Sequence, residues 1–122
     1  WEVLEKLKSL ATLHAVSGNM DDPKIKKLLP QKKVLQMQGK KIGLCHGSDS
    51  PFRLGERLYG EFGEKCDVLI YGHSHVSYNR KKKDTLLFNL GSLSGNMTLP
   101  FALTYGILTI EGDNVWGEIF EI

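Results

Sequence analysis

The stretch Val68-Leu69-Ile70-Tyr71-Gly72-His73-Ser74-His75 constrains this chain more than any other. An unbroken apolar run of this length, bounded by turn-forming residues, reads as a strand buried in a sheet rather than one lying at a solvated face. The run breaks at glycine and then delivers two imidazoles one residue apart, so the strand opens onto a loop of ligand-type side chains. In an extended segment His73 and His75 project to the same side, close enough to serve one metal or two neighbouring metals.

The rest of the chain supplies the layers such a strand needs. Trp1, Val3, Leu4, Leu7 and Leu10 fall at helical spacing, and residues 10–16 alternate toward a strand that halts at the turn formers Ser17-Gly18-Asn19-Met20-Asp21-Asp22-Pro23. A short helix is predicted from Pro23 to Leu29, ended by Pro30, and then a hairpin of Lys33–Gln38 and Ile42–Cys45 about Gly39-Lys40-Lys41. Phe52 to Cys66 has helical periodicity. Val76–Arg80 and Leu86–Leu90 form a predicted hairpin about Lys81-Lys82-Lys83-Asp84, a lysine run read as a solvated turn, and Phe101–Ile110 with Val115–Ile122 form another about Gly112-Asp113-Asn114. Helix, strand and polar loop in repetition make an α/β protein of one domain, residues 1–122, a length that fits one core and is too short for two.

Charge narrows the function. Sixteen basic residues against 14 acidic ones leave a net charge of +2, so no electrostatic argument calls for a nucleic-acid partner. No stretch approaches the roughly 18 apolar residues of a spanning helix, and the expectation is a cytoplasmic protein without a membrane partner. Cys45 and Cys66 each end or adjoin an apolar segment and are read as reduced core thiols.

Ligand-type residues gather on three loops, each after a predicted strand: Gly18-Asn19-Met20-Asp21, His46-Gly47-Ser48 and Gly72-His73-Ser74-His75. Strand ends of an α/β sheet face a common crevice, so these loops can converge. His14, inside the alternating segment, is read as structural. Asn19, His46, His73 and His75 together offer an amide oxygen and imidazoles, donors that Zn²⁺, Mn²⁺, Fe or Ni²⁺ accept.

The ordered set Gly18-Asn19-x-Asp21, His46-Gly47, Gly72-His73-x-His75 and Asn89-x-Gly91-Ser92 resembles the calcineurin-like metallophosphoesterase superfamily, and most closely its small single-domain bacterial and archaeal phosphodiesterases. The resemblance covers essentially the whole chain. It implies a four-layer α/β/β/α sandwich with a two-metal site at the strand ends. Asn19, His46 and His73 would hold one metal and His75 the other, with Asn19 also at the substrate and Asp21 handling a proton or capping the helix that follows. The implied chemistry is hydrolysis of a small phosphodiester or phosphomonoester, two divalent ions (Mn, Zn, Ni or Fe) binding the phosphoryl oxygens and activating water.

Departures from the family pattern carry expectations of their own. Its opening Asp-x-His and Gly-Asp motifs do not occur here, so the first metal keeps only His75 and the bridging carboxylate is lacking. Met20 stands where many relatives carry a histidine that assists the leaving group, which favours esters with good leaving groups. Ser48 and Leu90 replace a family His and Pro. The N-terminal strands of the sandwich are expected to be missing from this chain, leaving it weakly active or inactive alone and prone to associate with a second copy or a complementary fragment. The alternative is a non-catalytic, protein-binding scaffold on the same fold, as in the superfamily's retromer subunit.

Overall fold

A computed structural model describes residues 5–6, 9–17, 23–47, 53–61, 65–72, 77–91 and 103–122. Helix α1 (Pro23–Leu28) precedes a hairpin of β1 (Lys32–Met37) and β2 (Lys40–Cys45). Helix α2 (Leu54–Glu61) follows, then β3 (Val68–Tyr71), the hairpin β4 (Tyr78–Lys82) and β5 (Thr85–Asn89), and the hairpin β6 (Thr104–Glu111) and β7 (Asn114–Glu121). Five strands form a central sheet in the order β1-β2-β3-β5-β4, and β6 with β7 forms a second sheet. β3 pairs in parallel with β2 on one side and β5 on the other, while the edge strands β1 and β4 pair antiparallel. This is the mixed α/β fold that the strand-and-loop pattern implied. Among the described residues no helix is long and apolar enough to cross a membrane.

The period of two along the parallel strands sorts the core into two layers. Leu69, Tyr71, Leu87 and Cys45 point to one face, where Leu54 and Leu58 of α2 pack on them. Val68, Phe88, Leu86 and Ile42 point to the other, against Leu108, Ile110, Val115 and Ile119 of the second sheet. The described layers are therefore helix, sheet and sheet. The Phe88 ring is wholly buried and sits on the backbone of the small sheet. A Cβ at Gly117 would lie 2.6 Å from Phe88 Cζ, and one at Gly106 would lie 2.9 Å from it, so both positions are glycine because the ring occupies the space. Asn79 Nδ2 of β4 donates to the Gly117 carbonyl at 2.8 Å, adding a polar tie between the sheets.

Asp67 sets where β3 begins. Its N–H donates to the Lys41 carbonyl and its Oδ2 accepts from the Lys41 N–H, both at 2.8 Å, while its carbonyl accepts from the Leu86 N–H at 2.9 Å. Thr85 Oγ1 donates to the Cys66 carbonyl at 2.7 Å. Cys66, expected at the end of a helix, instead leads into β3.

Several boundaries differ from those read in the sequence. The expected strand in residues 10–16 does not form: Leu10 is helical and residues 12–17 carry no regular structure. No described strand pairs with the segment, and Ser17 N–H, just after it, donates to the Pro30 carbonyl at 2.9 Å instead. His14 Nδ1 lies 3.1 Å from Lys33 Nζ of β1, in keeping with a structural role. The first hairpin turns at Gln38-Gly39, whose φ angles of 48° and 80° match a two-residue I′ turn, so Lys40 and Lys41 belong to β2. The lysine run is partly strand: Lys81 and Lys82 lie in β4 and the turn is Lys83-Asp84. Lys82 Nζ stands 3.6 Å from Glu56 Oε1 and 5.5 Å from the Tyr59 ring centre, tying β4 to α2.

Two glycines of α2 are predicted to respond oppositely to the same substitution. Nothing lies within 4 Å of a Cβ at Gly60, so Gly60→Ala should stabilise by the helix-propensity difference, about 0.5–1 kcal/mol. At Gly55 a Cβ would be 3.1 Å from Tyr71 Cζ and closer still to its hydroxyl, and the ring is buried, so overpacking by about 1–3 kcal/mol should outweigh the propensity gain. Urea unfolding of the two variants measures both signs.

Cys45 and Cys66 are free and buried, as read from the sequence. Burial pushes the Cys45 thiol up to about 11, with Lys32 pulling it partly back and the charges of Glu61 and Cys66 pushing it further up. The folded chain holds this proton above pH 9, where the unfolded thiol releases it, so the stabilisation is whole below pH 9 and is lost as pH rises toward 11. Urea midpoints should fall over that window, and fall less steeply in Cys45→Ala.

Candidate functional site

Three parallel strands, β2, β3 and β5, end side by side. Their next residues are His46-Gly47, Gly72-His73 and Leu90-Gly91, so the loops that follow them start from one edge of the sheet. This is the crevice position at which open α/β sheets place ligands. Tyr71 pairs with Asn89 at the last rung of the β3–β5 ladder. One step beyond, Gly72 N–H donates to the His46 carbonyl at 3.0 Å, which joins the β2 and β3 loops directly.

Gly72 has no side chain between these loops. A Cβ built on it would lie 3.8 Å from His46 Nδ1, so the half-buried imidazole runs alongside the Gly72 backbone. Gly47 turns away with φ 95°. Cys45 and Tyr71, the residues before His46 and Gly72, are buried against α2: burial pushes the Cys45 thiol up, and burial, with Tyr78 and Cys45 adding, pushes the Tyr71 hydroxyl above its ordinary range. Neither neighbour brings a negative charge toward His46 at neutral pH.

The β5 loop is held by side chains. Asn89, fully buried, donates from Nδ2 to the Gly72 carbonyl at 3.2 Å and accepts at Oδ1 from the Gly91 N–H at 2.9 Å. The second contact is an Asx turn, made possible by Gly91 at φ 82°. Thr104 Oγ1, at the start of β6, donates to the Leu90 carbonyl at 2.7 Å and leaves no room for a Cβ at Gly91.

Of the residues singled out from the sequence, His46 stands at this edge beside Gly72. Asn19, Asp21, His73 and His75 lie outside the described residues. Among the described residues no group of three or more His, Cys, Asp or Glu side chains could hold a metal. Asn89 belongs to the Asn89-x-Gly91-Ser92 set, which carries no assigned contact in the sequence reading, and nothing in the sequence marks Thr104. The Asn-x-Gly spacing after a strand is the signal that marks an Asx turn, but it does not say which neighbouring strand the amide reaches.

Comparison with known proteins agrees with this architecture. A Methanocaldococcus jannaschii protein named "Probable metallophosphoesterase" is 42% identical over 94 residues, covering 75% of this chain and 46% of its own length. The chain thus spans about half of that relative. The solution NMR structure of a Thermotoga maritima protein superposes with TM-score 0.69 at 35% identity, over 99% of this chain and 71% of that one. Vacuolar protein sorting 29 from Cryptosporidium parvum superposes with TM-score 0.70 at 26% identity, over 99% of this chain and 76% of that one. The calcineurin-like phosphoesterase superfamily domain matches residues 1–113, and the chain belongs to that superfamily.

Proposed function

We propose that the chain is part of a metal-dependent phosphoesterase that acts first on phosphodiesters, with Asn19, His46, His73 and His75 as the metal-holding residues. The observation that supports this best is the bond from Gly72 N–H to the His46 carbonyl, because it joins one candidate ligand to the residue before another at the edge where parallel strands end. The donor chemistry fits: neutral imidazoles and an amide oxygen suit Zn²⁺, Mn²⁺, Fe or Ni²⁺.

Divalent ions at such a site polarise phosphoryl oxygens and lower the pKa of bound water. The chain's own residues do the placing. Gly72 N–H holds the His46 carbonyl at the strand ends, and Asp21 serves as the group that takes or gives a proton. Met20 offers no proton to a leaving group, so aryl or nucleotidyl esters are the substrates this site would favour.

A second reading is a protein-binding scaffold. It is favoured by the outer face of the small sheet, where Tyr105 stacks on Phe120 at 5.4 Å between centroids and Ile107 and Trp116 are exposed at 50% and 40%. The two readings separate on metal. Under the first, isothermal titration should find about one equivalent of Mn²⁺ bound, with affinity falling at least about tenfold in His46→Ala and in His73→Ala, and any Mn²⁺-dependent hydrolysis of an aryl phosphodiester falling with it. A chain that binds no Mn²⁺, or whose affinity is indifferent to both substitutions, would leave the scaffold reading in place.

A further inference from the structure

We infer that Asn89 is a positioning residue for the candidate metal site, its side-chain amide holding the peptide that leads into His73 in place beside His46. The inference rests on the phosphoesterase reading for what the site binds, and on geometry alone for what Asn89 holds. The β3–β5 ladder ends at Tyr71 and Asn89, so the Gly72 carbonyl lies past the last backbone rung. Asn89 Nδ2 takes the place of the next rung, donating to that carbonyl at 3.2 Å. The carbonyl belongs to a planar peptide unit, so holding its oxygen fixes the orientation of that unit where the chain leaves β3. On the other side of the same residue, Gly72 N–H is held by the His46 carbonyl at 3.0 Å.

Gly72 is thereby gripped at both ends, by the residue that begins the β2 loop and by the residue that ends β5. Asn89 itself is kept from rotating. Its Oδ1 accepts from Gly91 N–H at 2.9 Å, it is wholly buried, and Thr104 Oγ1 fixes the next carbonyl, that of Leu90, at 2.7 Å. An amide is the side chain this position needs, since it must donate to one loop and accept from the other at once. Groups that orient ligands from one step away commonly change metal affinity by about 10–100-fold when removed.

The test compares the unsubstituted chain with Asn89→Ala and with Asn79→Ala, which removes the tie from β4 to the Gly117 carbonyl and leaves the Gly72 and Leu90 contacts in place. Two readouts are followed: hydrogen exchange at the Gly72 amide, and Mn²⁺ affinity by calorimetry. In Asn89→Ala the Gly72 amide should exchange at least about tenfold faster while those of Leu69 and Leu87 keep their protection, and Mn²⁺ should bind about tenfold or more weakly. Asn79→Ala should lower the thermal midpoint and leave Mn²⁺ affinity unchanged. Unchanged Gly72 exchange in Asn89→Ala overturns the inference, as does equal loss of affinity in both variants, which would mark a general loosening. If the unsubstituted chain binds no Mn²⁺, the phosphoesterase reading fails, and Gly72 exchange alone decides what Asn89 holds. If Asn89→Ala does not fold, a through-bond coupling between Asn89 Nδ2 and the Gly72 carbonyl carbon in the unsubstituted chain supports the inference, and its absence overturns it.

Discussion

The parallel pairing of β3 with both β2 and β5 is the constraint on which the remainder of the structure depends. A strand with neighbours on both sides and apolar residues on both faces has to be covered above and below, and α2 and the β6–β7 sheet are what cover it. The same pairing brings the ends of three strands to one edge. Backbone hydrogen bonds in a parallel ladder fix register, so Tyr71 opposite Asn89 and Ile70 opposite Leu44 determine which residues emerge together. His46, Gly72 and Leu90 are the residues that follow.

Packing converts this register into rigidity at the site. Phe88 presses on the small sheet through the space left at Gly106 and Gly117, and the next residue, Asn89, reaches the Gly72 carbonyl. Thr104, the first residue of that sheet, returns to the Leu90 carbonyl. Core packing and loop placement are thus consecutive steps along β5. On the opposite face Tyr71 packs against α2 at Gly55, so the residue before Gly72 is braced from the helical side as well. Buried polar side chains with every bond satisfied specify one arrangement more sharply than apolar packing does, and among the described residues none of the buried side-chain polar atoms lacks a partner.

Most of this framework was legible in the residues. The runs that became β3, β5, β6 and β7 announce themselves by composition and by the turn formers between them, and the helix at Pro23 by its proline start and stop. Features set by tertiary pairing were not. Residues 10–16 have an apolar rhythm, yet a strand forms only where another strand pairs with it, and among the described strands none does. Gln38 is an uncommon residue for a positive φ, so the sequence pattern points to Gly39-Lys40-Lys41 rather than to Gln38-Gly39 as the turn. At the strand ends, the expected approach of the loops after β2 and β3 is seen where Gly72 N–H meets the His46 carbonyl, while Asn19 and Asp21 lie outside the described residues. The role of Asn89 was hidden because β4 intervenes in the sequence but not in the sheet, where β5 lies directly beside β3.

On the phosphoesterase reading, the His46 loop and the loop entered by Gly72 form one metal-binding edge. Nitrogen-15 spectra of the histidine rings and backbone amides, recorded while Zn²⁺ is added, test this edge. The His46 ring nitrogens and the Gly72 amide should shift together and saturate at the same Zn²⁺ concentration. Saturable Zn²⁺ binding that leaves both signals in place, or moves one without the other, would contradict it.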